Sequence, residues 1–271
     1  MIPGDSVVFE LPVGGKGTGP GALPEQQRQA QPQPQPRLLE SHVTVQEGFP
    51  GEYKVSVKSV ATTLELTPAT GRRTGTVNLT LALQSPQGVE MVDCQEADMD
   101  ELATNDGQRL SIGPSRPYVR PSGPGDPNAF EVFLPLDGIE RPAASLASVK
   151  GKLVMVASAG TKNVRFKPLK DWVGKKLESP ELSGSEVWLK SLGSSTVDVR
   201  TSPRAIIKGV LFEHPDGSRA DYYGRSGGGT PTSWVWTYNV EVEPDGAMVL
   251  QVYQDLKKVT IPIDLKDVPL P

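Results

Sequence analysis

Residues 76–84 read Thr76-Val77-Asn78-Leu79-Thr80-Leu81-Ala82-Leu83-Gln84, and their apolar side chains stand at every second position. Val77, Leu79, Leu81 and Leu83 share one face, while the other face is polar or small. Because successive side chains of a strand point to opposite faces, this period of two predicts a strand with one face in a hydrophobic core.

The same alternation recurs on both sides of this strand, in short segments separated by turn signals. Its clearest examples are residues 53–58, 130–136, 234–242 and 259–265. No segment shows a sustained helical period, and short strands with turns between them are typical of all-β sandwiches. We therefore predict an all-β chain with two immunoglobulin-like β-sandwich domains, at residues 42–166 and 167–271.

The first 41 residues differ in composition from the rest of the chain. They are rich in Gly, Pro and Gln, and they include the run Gln31-Pro32-Gln33-Pro34-Gln35-Pro36. Alternating Gln-Pro favours extended polyproline II, and so few apolar residues cannot offset the entropy of ordering. We predict a disordered segment over 1–41, a spacer rather than a ligand for a proline-binding module.

Charge and cysteine content exclude several classes of function. The chain has 271 residues, a formal net charge of −4 and a pI of about 5.4, so no basic excess indicates a nucleic-acid partner. No apolar run is long enough to predict a transmembrane segment. Cys94 is the only cysteine, which excludes an intramolecular disulfide and a Cys-based zinc site. We interpret it as a buried small side chain within a strand rather than a reactive thiol.

Four segments carry a resemblance to a known group of proteins. They are the strand at 76–84, the turn Asn105-Asp106-Gly107-Gln108-Arg109-Leu110, the stretch from Leu153 to Val156 that leads into Val164-Arg165-Phe166, and the ending Thr260-Ile261-Pro262-Ile263-Asp264-Leu265-Lys266-Asp267-Val268-Pro269-Leu270-Pro271. In order and spacing the chain resembles a group of uncharacterised secreted bacterial proteins with two β-sandwich domains and an ending of the type VPFxFKDIPLP. Here Ile263 and Leu265 stand at the aromatic positions of that ending. The resemblance implies the fold and an extracytoplasmic, periplasmic or secreted, location, with a signal peptide preceding the sequence shown. It implies no activity.

The acidic segment 98–107 is a candidate calcium site. It contains Asp98, Asp100, Glu101 and Asp106, which offer the hard oxygen ligands that Ca²⁺ prefers. Its spacing does not match an EF-hand loop, and solvated acidic loops with turn-forming Asp and Asn are common. We therefore favour a loop without a bound ion, and weak calcium binding stays the alternative.

Three aromatic residues alternate in the segment 234–242. Trp234, Trp236 and Tyr238 share a face with Val240 and Val242. An exposed face of this kind could stack against sugar rings, but an apolar face beside a polar one is also how a sandwich strand fills its core. We predict that the face points into the second core, and carbohydrate binding is the alternative that its exposure would favour.

Two histidines and two glycine runs complete the candidates. His214 lies close in sequence to Asp216 and Asp221, but no nucleophile elbow accompanies it, and His42 is distant. The runs at 14–19 and 227–229 lack dinucleotide and P-loop spacing, so we interpret both as flexible loops.

We predict no catalytic, cofactor-binding or metal-ligating residues and no cofactor. The predicted function is a non-enzymatic binding or structural module with a protein or cell-envelope partner.

Overall fold

A computed structural model of the chain describes residues 40–67, 72–123, 125–202, 206–230 and 233–271. The predicted disordered segment at 1–41 therefore lies almost wholly outside the described residues. The described residues belong to one compact unit.

The described residues form an all-β structure. The strands are β1 Glu40–Val45, β2 Gly51–Thr67, β3 Arg72–Gln84, β4 Glu90–Thr104, β5 Ser111–Ile112, β6 Tyr118–Pro121, β7 Ala129–Ile139, β8 Ser145–Ser158, β9 Gly160–Phe166, β10 Lys175–Lys176, β11 Val187–Leu192, β12 Thr196–Thr201, β13 Ile207–Glu213, β14 Arg219–Ala220, β15 Tyr222–Thr230, β16 Ser233–Val240, β17 Ala247–Gln254 and β18 Lys257–Pro269. Two short 3-10 turns, Leu169–Trp172 and Pro180–Leu182, are the helical segments in the described ranges. The predicted fold class is confirmed at this level, and no described helix has the length and apolar character that crossing a membrane requires.

The first hydrophobic core lies between two antiparallel sheets. One sheet has the strand order β1-β2-β3-β7-β5, with β6 also paired to β7, and the other has the order β18-β8-β4. The strand predicted at 76–84 is β3, and its four apolar side chains are fully buried in this core. Cys94 on β4 is buried there too, and burial raises the pKa of its thiol to about 11. The interpretation of Cys94 as a buried strand residue is therefore confirmed.

The second hydrophobic core also lies between two antiparallel sheets, in a sandwich-like arrangement. Their strand orders are β10-β11-β12-β16-β15 and β14-β13-β17-β9. The core combines aliphatic side chains from β11, β12 and β17 with Phe166, Phe212 and Tyr238.

The strand pairing does not follow the predicted boundary between 166 and 167. Strand β9, which we had placed in the first sandwich, pairs with β17 of the second. Strand β18, which we had placed in the second, pairs along its length with β8, and Val259, Ile261 and Ile263 are buried in the first core. The second core is thus inserted into the chain of the first, between β8 and β18. Alternation reveals that a strand has a buried face but not which sheet it joins, and this is why the boundary was misplaced.

The chain crosses between the two cores at two adjacent points. Strand β8 ends at Ser158 and β9 begins at Gly160, while β17 ends at Gln254 and β18 begins at Lys257. The buried Ser158 hydroxyl oxygen lies 2.6 Å from the carbonyl oxygen of Gln254 and 2.7 Å from that of Gly160, so it connects the two crossings.

A partly exposed polar contact also joins the two cores. The Glu90 carboxylate, at the start of β4, accepts hydrogen bonds from Lys208 Nζ at 2.6 Å and from the Tyr253 hydroxyl at 3.0 Å. Lys208 lies on β13 and Tyr253 on β17, which are neighbouring strands of the second core. The Glu90 carboxylate therefore connects both of these strands to the first core.

Candidate functional site

Strand β16 carries the aromatic face that the sequence singled out. Its register with β12 sets Trp234 opposite Thr201, Trp236 opposite Val199 and Tyr238 opposite Val197. Directly opposed residues share a face of a sheet. Since Val197 and Val199 are buried in the second core, the three aromatic side chains stand on the inner face of their sheet.

Burial along this face is graded rather than uniform. Tyr238 is 2% exposed, and Val240 and Val242 are buried with it. Trp236 is partly buried and packs against the core, whereas Trp234 is 37% exposed. The predicted inward face is therefore correct for its later half, and its first residue reaches solvent where the facing sheet no longer covers it.

The glycine run at 227–229 lies in strand β15 and not in a flexible loop. Gly227 pairs with Trp236 and Gly229 with Trp234. A Cβ atom on Gly227 would lie 2.5 Å from the Trp236 ring and 2.6 Å from Nε1 of Trp234. The two indoles therefore rest against bare backbone at Gly227, which a residue with a side chain could not offer them. The interpretation of this run as a flexible loop was wrong. Glycine is required at a turn, but it is also required within a strand where a neighbouring ring approaches the backbone closely.

A cavity of about 380 Å³ opens between the two sheets at the exposed end of this face. We call it the aromatic cavity, and its main walls are Trp234, Trp236, Tyr238, Ile207, Lys208 and Arg225. The two indole rings are tilted by 51° with their centroids 5.7 Å apart, so they form adjacent walls rather than a stack. Its volume lies in the range of small-ligand sites, roughly 300–1,000 Å³.

Two cations flank the aromatic cavity. The Arg225 guanidinium lies 4.6 Å from the centroid of the Trp236 ring, and Arg225 stands opposite Tyr238 in the β15–β16 register. Burial raises the pKa of Tyr238, and the Arg225 contact opposes that rise. Lys208 lies on the other wall, where its ammonium reaches the Glu90 carboxylate. Thr201 and Ser202 contribute the hydroxyl groups of the site.

The acidic segment proposed as a calcium loop is mostly strand. Asp98, Asp100 and Glu101 lie on the exposed face of β4, and Asp98 pairs with Lys152 at 3.1 Å. That hydrogen bond raises the pKa of Lys152. Within the described residues no group of three or more His, Cys, Asp or Glu side chains is arranged to hold a metal ion. The loop assignment was wrong because β4 accommodates these charges on its solvent face, with a register shift between Met99 and Glu101.

The turn at Asn105, Asp106 and Gly107 forms as the sequence predicts, with Gly107 at a φ of 83°. Asn105 Oδ1 accepts hydrogen bonds from the backbone amides of Ala144 and Ser145. The Asp106 carboxylate accepts hydrogen bonds from Thr104, Gln108 and Arg141, which hold its pKa well below the usual range. These two side chains therefore fix the turn against the neighbouring loop.

His214 pairs with the carboxylate of Glu243. Its Nδ1 lies 2.9 Å from Glu243 Oε2, and that hydrogen bond raises the pKa of the imidazole. Ser194 lines the same shallow depression, but no hydrogen bond joins it to His214 in the described part of the chain. A Ser-His nucleophile requires that contact. His42, far along the chain, lies between the carboxylates of Glu40 and Glu52 on β1 and β2.

The sequence did not reveal the residues that complete the aromatic cavity. Arg225 and Gly227 become neighbours of the aromatic face only through the β15–β16 register, and Lys208 only through the facing sheet. The short chain distance between 225–229 and 234–238 was the one available signal, since it is typical of a hairpin.

Comparison of the chain with family models, with curated proteins and with solved structures found no match.

Proposed function

We propose that this chain is a non-enzymatic, extracytoplasmic binding module that binds carbohydrate in the aromatic cavity. The observation that carries the proposal is the exposure of the Trp234 indole on the wall of a cavity that also contains Trp236. Indole faces pack against the apolar C–H faces of sugar rings, and hydroxyl groups such as those of Thr201 and Ser202 can hydrogen-bond the sugar rim.

We further propose that the two cores are two immunoglobulin-like domains. Support comes from the antiparallel pairing within every sheet and from the two-sheet enclosure of each core, which are general features of that fold. The extracytoplasmic location rests on the resemblance to secreted bacterial proteins, and a glycan of the cell envelope would be the natural partner there.

The absence of enzymatic activity is part of the proposal. The aromatic cavity has no His, Asp or Glu among the described residues that form its walls, so it offers no imidazole or carboxylate for general acid–base catalysis. The ion pair of His214 and Glu243 lies on a different surface, in a shallow depression.

The test is a glycan-array screen followed by calorimetric titration of the best ligand, with a matched pair of variants. Trp234→Ala removes the exposed ring of the cavity. Tyr223→Ala removes an aromatic side chain that is 83% exposed on β15 and lies outside the cavity walls. We expect Trp234→Ala to weaken binding by about tenfold or more, which corresponds to about 1.4 kcal/mol, and Tyr223→Ala to leave it unchanged. A wild-type protein that binds no glycan would contradict the proposal.

A second candidate is docking of a protein partner along β15. This strand is the last in its sheet order, and Tyr223 projects from it into solvent. An edge strand can accept an added strand from a partner. The same two variants separate the candidates when binding to isolated cell-envelope material is measured: loss with Tyr223→Ala alone would favour the strand edge over the aromatic cavity.

A further inference from the structure

The charge around the aromatic cavity is one-sided. Arg225 and Lys208 contribute cationic groups, and no Asp or Glu is found among the described residues of its walls. This local excess of positive charge occurs in a chain whose formal net charge is −4. A cavity lined by one sign of charge with apolar walls attracts ligands of the opposite sign.

The two cations differ in how far they are already neutralised. Lys208 Nζ lies 2.6 Å from Glu90 Oε2, so its charge is engaged in the contact between the two cores. Arg225 contacts the Trp236 ring and Tyr238, and no carboxylate pairs with it in the described ranges. Arg225 is therefore the cation whose charge is available to a ligand.

The position of Arg225 is fixed by its strand. It stands opposite Tyr238 in the β15–β16 register, two residues before Gly227, so it shares the inner face on which the indoles rest. Its guanidinium carbon lies 4.6 Å from the centroid of the Trp236 ring, so the charged group stands at the cavity wall. A guanidinium stays protonated at any relevant pH and presents paired N–H donors that match the two oxygens of a carboxylate.

We propose that the ligand of the aromatic cavity is an acidic saccharide, in which a uronic-acid carboxylate pairs with Arg225 while the sugar ring packs against Trp234. This inference rests on the proposed function and specifies its ligand class. Charge-assisted, bidentate pairing of Arg with carboxylate is stronger than a neutral hydrogen bond, so the carboxylate distinguishes this ligand from a neutral sugar of the same shape.

The experiment titrates the full chain with trigalacturonate and with its methyl ester, which has the same ring system without the charge. We expect the wild-type protein to bind the acid about tenfold more tightly than the ester or better, as one hydrogen bond to a charged group predicts. The preference should shrink as the salt concentration is raised from about 20 mM to about 500 mM, because salt screens exposed charge.

Two variants assign the preference to Arg225. Arg225→Gln should bind acid and ester equally. Arg219→Gln is the matched control, since Arg219 is an exposed cation on β14 outside the cavity walls, and it should retain the full preference. Thermal denaturation checks that each variant is folded, and Arg225→Lys, which retains the charge without the planar fork, substitutes for Arg225→Gln if that variant unfolds; it should retain only part of the preference.

The outcomes separate the two proposals. Equal binding of acid and ester by the wild-type protein would overturn the inference and leave carbohydrate binding in place. The same holds if the full preference for the acid survives loss of the Arg225 guanidinium fork. If neither ligand nor any array glycan binds, the proposed function fails and the inference fails with it.

Discussion

The two cores of this molecule are built by the same alternation of side chains, but they differ in strand length and in the share of aromatic residues. The first is enclosed by long strands, among them β2 with 17 residues and β8 with 14, and Tyr53 and Phe130 are its buried aromatic residues among many aliphatic ones. The second is enclosed by shorter strands, such as β12 with 6 residues and β16 with 8, and rings occupy much of it. Aliphatic and polar side chains line the cavity beside the first core at Leu102, Leu110 and Ile112, whereas the second core opens into a cavity walled by aromatic rings.

The difference shows how ring geometry and glycine together produce an opening. Phe212 and Tyr222 each meet the Tyr238 ring edge-on, with Phe212 in the interior of the second core and Tyr222 exposed at its edge. Beyond Tyr238, the residues opposite the two indoles on β15 are glycines, so the facing positions contribute no side chain to close the space. Aromatic alternation beside glycine therefore leaves a cavity lined by rings.

The largest expected effect comes from removing β18, the strand of the first core that follows the second core in the chain. A variant lacking residues 257–271 loses the buried side chains of β18, including Val259, Ile261 and Leu265. Each contributes roughly 1.5–3 kcal/mol when fully buried, and a domain has a total stability of about 5–15 kcal/mol. We expect the first core to unfold while the second persists.

Tryptophan reports that outcome selectively, because all four tryptophans lie in the part of the chain between β8 and β18. Far-UV circular dichroism should lose much of its β signal while cooperative unfolding monitored by tryptophan fluorescence remains. A protein shortened only by Leu270 and Pro271 is the control. Retention of the full β signal in the longer truncation would show that β18 is dispensable.

Single substitutions sharpen the comparison between the fully buried interior of the first core and the partly exposed end of the second. Leu81 is fully buried in the first core, so Leu81→Ala should cost about 2–5 kcal/mol in the free energy of unfolding. Trp236 is only partly buried, so Trp236→Ala should cost less, roughly 1–3 kcal/mol, despite removing a larger side chain. Urea denaturation followed by circular dichroism measures both, and the reverse order would mean that the second core is closed as tightly as the first.

Neighbouring glycines provide a smaller but better matched test. Gly227→Ala inserts a methyl group against both indoles and should cost about 1–3 kcal/mol, because the rings or the strand must shift. Gly228→Ala points to the other face, where its Cβ would meet nothing within 4 Å, and should leave stability nearly unchanged. Thermal denaturation of the pair is sufficient, and equal melting temperatures would refute the proposed contact of the indoles with bare backbone.

The smallest effect concerns pH and the ion pair of His214 with Glu243. The pKa of His214 is raised above 6.5 by the Glu243 hydrogen bond, and the pKa of Glu243 is lowered from 4.5. The stabilisation is therefore present between about pH 4.5 and 6.5 and is lost as pH rises through the raised His214 pKa. An NMR titration of Glu243→Gln should show the His214 pKa falling towards 6.5. An unchanged His214 pKa would remove Glu243 as the cause.

Local pattern was sufficient for much of the fold. The alternation at 76–84 predicted a strand whose apolar face is buried, and β3 has that face in the first core. The partner of β18 could not be predicted, because pairing with β8 depends on contacts across about a hundred residues of intervening chain. The charges of Asp98 and Asp100 indicated solvent exposure correctly but could not distinguish a loop from the outer face of a strand.

The aromatic face of the candidate site could be predicted from the sequence, but the exposure of its residues and the neighbouring cations could not. Period two placed Trp234, Trp236 and Tyr238 on one face, and the structure places them on the inner face of one sheet. How far each is exposed depends on where the facing sheet ends, and that is a property of tertiary packing with no local signal. Arg225 belongs to the site because of the β15–β16 register, and Lys208 belongs to it because the opposite sheet faces the cavity. A local sequence pattern predicts neither of these contacts.

The insertion of the second core between β8 and β18 sets the order in which the chain can be completed during synthesis. All strands of the second core leave the ribosome before β18, so they can assemble while one side of β8 still lacks its neighbour. At about 5–20 residues per second, the hundred or so intervening residues impose a delay of roughly 5–20 s. For that time the first core has an unpaired strand edge and an uncovered apolar face, which is the kind of surface that aggregates or recruits a chaperone. The half of the molecule that is translated first is thus the half that finishes folding last.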